Sequence, residues 1–176
     1  MSPVGPYAIA KCAGEMAINS SLGASADICR FADVFGVGQR HGNFFRAIEA
    51  AVSHLTELQQ FGAGAKRRTY IHVQDAARVL LWLGQQRPDA DTGHTRVWNV
   101  GYPDSATVAE ILRLVADESG LLLRQQQLDD DESWRDMRTM KVARFPEGVM
   151  RWASFRAALS EYVRDLMTTT SVKGNR

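Results

Sequence analysis

Tyr7 and Lys11 form a Tyr-x-x-x-Lys pattern inside a segment, Tyr7 to Ser20, that is rich in Ala, Met, Ile, Lys and Glu. Those residue types favour helix, with Pro6 standing where a helix start tolerates a missing N–H. Positions four apart on a helix share a face, so the ammonium can sit beside the phenol. A free tyrosine ionises near pH ~10, and a close cation favours the phenolate. A phenol so placed can exchange a proton with a substrate hydroxyl or carbonyl near neutral pH. That is the proton traffic required when hydride leaves, or joins, the carbon bearing that oxygen. Taken alone, the pair reads sooner as an ordinary Tyr and Lys on a surface helix.

The elements that must position this pair alternate between helix and strand. After the first helix, Asp27 to Phe35 has the apolar run of one buried strand, ended by Gly36 and Gly38. From Asn43 to His54, Phe44, Phe45, Ile48, Ala51, Val52 and Leu55 recur at helical spacing. Leu55 to Phe61 suits a short edge strand before the Gly62-Ala63-Gly64 turn, and Thr69 to Val73 is strongly strand-like. Gln74 to Gln86 returns to helix, closed by Arg87 to Asp91; Arg96 to Val100 reads as strand. Ser105 to Glu118 is an amphipathic helix with Ser105 or Thr107 as cap and Gly120 as stop. The acidic run Asp129 to Glu132 reads as a solvated loop, Ser154 to Met167 as a last helix, and Thr168 to Arg176 as a frayed tail. The order implies a mixed α/β fold.

Bulk properties narrow the function classes. The chain has 176 residues, 45% apolar and 23% charged, with a net charge of +1, so no global field points to nucleic acid or an anionic membrane. No apolar stretch is long enough to span a bilayer and no basic-then-apolar leader opens the chain, which makes the cytoplasm the expected compartment. The two cysteines, Cys12 and Cys29, fit reduced thiols, with a single disulfide the open alternative. The four histidines have no metal-ligand spacing, so no metal is expected. Neither a Gly-x-Ser-x-Gly elbow nor a Gly-Lys-Ser/Thr phosphate loop occurs. Lys66-Arg67-Arg68 reads as a solvated turn, too short a basic cluster for nucleic-acid binding.

Four segments, in order, resemble one family. Pro6-Tyr7-Ala8-Ile9-Ala10-Lys11-Cys12-Ala13-Gly14-Glu15 is similar to its Pro-Tyr-x-x-Ser-Lys-x-x-x-Glu helix. Arg30 to Gln39 is similar to its Arg-x-x-Asn-Val-Tyr-Gly-Pro-x-Gln loop, and Gly62 to Asp75 to its Gly-Asp-Gly-x-x-x-Arg-Asp-Phe-Ile-His-Val-x-Asp segment. Trp98-Asn99-Val100-Gly101 is similar to its Tyr-Asn-Val-Gly turn. The family is the NAD-dependent epimerases/dehydratases, the extended short-chain dehydrogenases/reductases, and the chain resembles their carboxy-terminal half.

The resemblance implies a partial Rossmann-like fold lacking the first strands and glycine-rich turn, with the small substrate-binding α/β part. It implies residues 1–54 as the catalytic helix with the following strand and helix, 55–167 as mostly substrate-binding, and 168–176 as tail. It implies NAD or NADP as cofactor and a nucleotide-sugar as substrate. Tyr7 would be the acid/base, Lys11 would lower its pKa and hold the nicotinamide ribose, and Asp33 would lie where cofactor and substrate meet. Arg68 would reach a phosphate or ribose of the substrate. Its alternative is a strand-edge arginine paired to an acid such as Asp75. His72 reads as an inward or capped histidine, Asp75 as the N-cap of the helix that follows, and Asn99 as a turn former. The family helix also packs in a dimer interface. Lost neighbours would leave the apolar side chains around Ile9, Cys12, Met16 and Ile18 uncovered, which implies self-association.

Several residues depart from the family pattern. Asp33 stands for its Asn, where a carboxylate repels a diphosphate unless Arg30, Arg40 or Arg68 neutralises it. Val37, Phe35 and Ala10 stand for its Pro, Tyr and Ser. The six residues before Tyr7 hold neither the glycine-rich turn nor the Ser or Thr that bonds the substrate oxygen. The sequence therefore implies an isolated chain without its cofactor-binding half, and a non-catalytic binding or dimerisation module as the alternative function. One other pattern, Gly36-Val37-Gly38-Gln39-Arg40-His41-Gly42, follows a strand and precedes a helix as a dinucleotide fingerprint should, although its third glycine falls one place late.

Overall fold

The computed structural model describes residues 5–21, 26–40, 43–86, 95–128 and 137–173. The expected closing turn at Arg87 to Asp91 and the acidic run at Asp129 to Glu132 lie outside them. Among the described residues the helices are α1 (Pro6–Ser21), α2 (Asn43–His54), α3 (Val73–Gln85), α4 (Val108–Ser119) and α5 (Phe155–Lys173). The strands are β1 (Asp27–Phe31), β2 (Asp33–Phe35), β3 (Leu58–Phe61), β4 (Arg67–His72), β5 (Arg96–Val100), β6 (Ser105–Thr107), β7 (Leu123–Gln126) and β8 (Met137–Arg138). The result is a mixed α/β fold with parallel pairing, as the order of elements implies.

The expected single strand from Asp27 to Phe35 is instead two. β1 pairs in parallel with β5, whereas β2 pairs in parallel with β4, placing Asp33 opposite Tyr70. The chain changes partner at Ala32, whose N–H donates to the Val100 carbonyl at 2.9 Å. Gly101 leaves room for the switch: a Cβ there would lie 3.0 Å from Ala32 Cβ and 2.9 Å from Thr69 Cγ2. Only a glycine lets the end of β5 pass between the two strands.

Three further differences have local causes. Ser105 to Thr107 is not the first helical turn but strand β6, antiparallel to β4. α4 then begins behind Thr107, whose hydroxyl accepts from Glu110 N–H while Glu110 accepts from Thr107 N–H, a reciprocal capping box. Gly120 ends α4 at φ +71°, as a left-handed C-cap. α5 runs on to Lys173, past the expected end at Met167, with the Thr168 and Thr169 hydroxyls donating back to carbonyls four residues earlier. Arg67 and Arg68 belong to β4 rather than to a turn; Arg67 bonds Glu110 and the Ser105 carbonyl.

The core lies between β4 and the helices α2, α4 and α5. Phe35 stacks on Phe45 at 4.8 Å, and His72, Phe155 and Tyr162 meet it edge-on. Asp75 is 0% exposed and is not the N-cap of α3. That role falls to His72, whose Nδ1 accepts from Gln74 N–H. Asp75 instead accepts from the Tyr102 hydroxyl at 2.7 Å and from the backbone N–H groups of Arg151 at 2.6 Å and Trp152 at 3.3 Å. A buried carboxylate is tolerated because donors replace its water. Burial and the adjacent carboxylate push the Tyr102 phenol far above its ordinary range, so it stays a donor.

Asp75→Ala strands one buried and two part-buried donors, and an unfolding free-energy loss of about 3 kcal/mol is expected. Tyr102→Phe, which removes one of them, should cost about 1 kcal/mol. Urea unfolding monitored by circular dichroism measures both, and equal losses would contradict Asp75 as the shared acceptor. Burial lowers the pKa of His72, against the smaller upward pull of Asp75 and Asp165. The unfolded chain therefore binds this proton first, so the stabilisation present above about pH 6.5 is lost as pH falls through the lower folded value. His72→Asn keeps a cap acceptor without the titration. Unfolding curves between pH 7 and 5 should slope less steeply for this variant than for the parent.

Candidate functional site

Two of the four residues expected at the site come together. Arg68 Nη1 lies 2.8 Å from Asp33 Oδ2. The pairing follows from the strand change at Ala32, because β2 lies in register beside β4 and Asp33 opposes Tyr70. The Arg68 side chain is 21% exposed and that of Asp33 49% exposed, so the guanidinium is the more enclosed partner. Asp75, the alternative partner, is committed to Tyr102, Arg151 and Trp152. Arg30, another candidate to neutralise Asp33, is engaged with Glu15.

Asp33 and Arg68 line a cavity of about 590 Å³ with Val34, Gln39, Phe44, Phe45, Lys66, Tyr70 and Val108. Its wall is largely aromatic. Tyr70 stacks on Phe155 at 4.7 Å and meets Phe45 edge-on, while Phe44 meets Phe45. Among the described residues the buried amide oxygen of Gln39 has no hydrogen-bond partner, which makes it an acceptor suited to a ligand donor. A planar guanidinium, a carboxylate and an amide beside aromatic rings can hold an anionic, hydroxyl-bearing molecule. Sequence reasoning passed over Gln39, Lys66 and Tyr70. The available signal is strand alternation, since Arg68 and Tyr70, two apart in β4, both reach this cavity.

Tyr7 and Lys11 stand elsewhere. They share one face of α1, with Lys11 Nζ 5.5 Å from the Tyr7 ring centroid, so the spacing does bring phenol and ammonium together. Tyr7 is 77% exposed, however, and neither residue lines the Asp33–Arg68 cavity. α1 is tied to β1 by Glu15, which accepts from Arg30 Nε at 2.8 Å and from Nη2 at 2.5 Å. This pairing holds the Glu15 carboxyl below its ordinary pKa. Ile9 and Met16 are exposed on the same helix, as is Cys12, and both cysteines are free thiols.

The glycine turn after β2 does not form a dinucleotide cradle. Such a cradle needs glycine N–H groups open to a pyrophosphate at a helix start. Gly38, at φ +78°, has its N–H directed at the carboxylate of Glu49, at 3.3 and 3.2 Å from its two oxygens. An acidic side chain stands where the anion would go, and the Gly36 to Gly42 alternative does not fit the cofactor; Gly42 itself lies outside the described residues. Glu57, about twenty residues on, where such a fingerprint places its ribose-binding acid, pairs instead with Arg124 at 2.7 Å. Asn99 donates to the Lys141 carbonyl from within β5. Among the described residues no cluster of His, Cys, Asp or Glu could hold a metal ion, and no helix is long and apolar enough to cross a membrane.

Comparison with known proteins gives this geometry a context. The model of the NAD dependent epimerase/dehydratase family matches residues 1–101. A comparison with curated proteins returned no match. Among solved structures, MoeE5 in complex with UDP-glucose and NAD is 26% identical, with a TM-score of 0.68 over 97% of this chain and 57% of its own. The UDP-glucose 4-epimerase of Thermotoga maritima with UDP-glucose is 20% identical, with a TM-score of 0.66 over 96% of this chain and 55% of its own. The dTDP-glucose 4,6-dehydratase of Bacillus anthracis with NAD is 17% identical, with a TM-score of 0.65 over 93% and 52%. The chain thus spans about half the length of the solved structures it matches.

Glu15→Gln should loosen α1 while leaving β1 and β5 paired. An exposed ion pair contributes under about 1 kcal/mol, so amide exchange in α1 should accelerate by no more than about fivefold. Exchange measured by mass spectrometry tests this, and unchanged protection in α1 would show that other contacts hold the helix.

Proposed function

Because the chain belongs to the NAD dependent epimerase/dehydratase family, we propose that it is the substrate-binding, acid/base-bearing part of an NAD(P)-dependent oxidoreductase acting on a nucleotide-sugar. The observation that carries the reading is the Arg68–Asp33 pair in a cavity walled by Phe44, Phe45 and Tyr70. Arg68 would bind a substrate phosphate or ribose, and the aromatic wall would exclude water from the neighbouring sugar. NAD or NADP, if held beside Tyr7 and Lys11, would supply the hydride chemistry at a carbon of the substrate. Tyr7 would take and give back the proton of the hydroxyl on that carbon. Lys11, on the same face of α1, would offset the charge left on the phenol oxygen and bond a ribose hydroxyl.

The exposure of Tyr7 favours a second reading for the chain by itself. Tyr7 is far from enclosed, and the described glycine turn offers no pyrophosphate site. On its own the chain would then act as a substrate-binding module, or self-associate through the Ile9 and Met16 face of α1, without turnover.

Calorimetric titration separates the two. The chain is expected to bind UDP-glucose with Kd at or below about 1 mM, weakened about tenfold or more by Arg68→Ala, which removes a charge-assisted contact. Micromolar binding of NAD to the same sample would argue against the module reading. With the nucleotide-binding half supplied by fusion, Tyr7→Phe should leave the circular dichroism spectrum unchanged and lower turnover by about a hundredfold or more. Turnover at the parent rate would remove Tyr7 from its assigned role.

A further inference from the structure

Gln39 sits in the segment that joins β2 to α2, and that segment is pinned on both sides. A Cβ on Gly36 would lie 2.5 Å from Val73 Cγ1, so the chain passes close against the start of α3. Two residues on, Gly38, at φ +78°, directs its N–H to the Glu49 carboxylate of α2 at 3.3 and 3.2 Å. Gln39 follows at once and lines the cavity with Phe44, Phe45 and Tyr70. The residue is half-buried, yet its amide oxygen is enclosed, and among the described residues no donor reaches it. An acceptor left unpaired away from water works against folding, and a segment held at Gly36 and Gly38 does not carry it out to solvent. The last torsion of a glutamine side chain is soft, so rotation there can turn the oxygen toward a ligand in the cavity.

We propose that Gln39 is a specificity-determining residue of this cavity, its amide oxygen accepting a hydrogen from a neutral donor of the ligand, a sugar hydroxyl or the imide N–H of a uracil ring. The inference rests on the reading of the cavity as a nucleotide-sugar site and adds a residue to it. Arg68 answers the anionic part of such a ligand, whereas a neutral carboxamide oxygen answers a hydroxyl or N–H group. A ligand that presents a donor here satisfies an acceptor that the folded chain leaves unpaired. One that lacks the donor leaves the oxygen enclosed and unpaired, and is discriminated against. Gln39 is thus kept at some cost to stability, which ligand binding offsets.

The test pairs urea unfolding with calorimetric titration of UDP-glucose and of UDP, on the parent chain and on Gln39→Met, which keeps the length of the side chain and removes the acceptor. With no hydrogen bond inside the chain to lose, Gln39→Met should unfold at the same urea midpoint as the parent or at a higher one. UDP-glucose should bind it about threefold to tenfold more weakly, the share of one neutral hydrogen bond. A loss confined to UDP-glucose assigns the donor to the hexose, and an equal loss with UDP assigns it to the uridine. Gln39→Leu should repeat both results if Gln39→Met folds poorly. Unchanged affinity for both ligands in a folded variant would overturn the assignment of Gln39. So would a lower midpoint in both variants, which would mean that the amide is already bonded inside the chain. Either result leaves the nucleotide-sugar reading in place, whereas absence of UDP-glucose and UDP binding to the parent would overturn both.

Discussion

The carboxylate of Asp75 is the constraint on which much of the structure depends. An ionised group removed from water costs several kcal/mol unless donors surround it. Here the donors come from two separated parts of the chain: Tyr102 beyond β5, and the adjacent Arg151 and Trp152 amides ahead of α5. Meeting that requirement fixes how the end of β4 and the start of α3 sit against the carboxy-terminal segment. Tyr102 adds a backbone bond from its N–H to the Tyr70 carbonyl, and its hydroxyl accepts from His72 N–H. Tyr70 is thereby held on both sides of its strand, and Arg68, two residues earlier, takes its direction from the same strand.

The candidate site follows from where β4 is anchored and where the preceding strand changes sheets. Had Asp27 to Phe35 stayed in one ladder beside β5, Asp33 would not face Tyr70. The narrow passage at Gly101, between Ala32 and Thr69, makes the change sterically possible. α1 does not share in this arrangement. Its link to β1 is an exposed ion pair, a weak restraint compared with the interlocked core. The two halves of the expected chemistry thus rest on supports of unequal strength, with an aromatic-walled cavity at Asp33 and Arg68 and a lightly held helix at Tyr7 and Lys11.

Much of this was legible in the residues, for identifiable reasons. The helices α2, α3 and α4 carry apolar positions at helical spacing, and Thr107, Glu110 and Gly120 mark the ends of α4. The family segments around Arg30 and Arg68 turned out to flank one cavity, which composition alone could not show. What escaped was pairing. β6 and β8 are too short for alternation to register, and they exist because β4 offers them partners. A period-two pattern does not reveal a change of partner, so the break at Ala32 was invisible. Asp75 looked like a cap because an acid near a helix start usually is one, whereas the acceptor used was the ring nitrogen of His72. Arg68 could have met any acid, since nothing local selects Asp33 from 35 positions earlier.

The parallel pairs have a bearing on how the chain acquires its structure. β1 waits for β5, and β3 waits for β7, which lies more than sixty positions further on. α5 then contributes Phe155, Ala158, Leu159, Tyr162, Val163 and Leu166 to the core, and Arg151 and Trp152 complete the shell of Asp75. Contacts so distant in sequence make for slow folding, because loop closure must precede any reward. During synthesis β1 lacks its partner until β5 has emerged, and Asp75 lacks two of its three donors until Arg151 and Trp152 have emerged. A chain cut short before Arg151 would leave Asp75 without two of its three donors and the core without the side chains of α5.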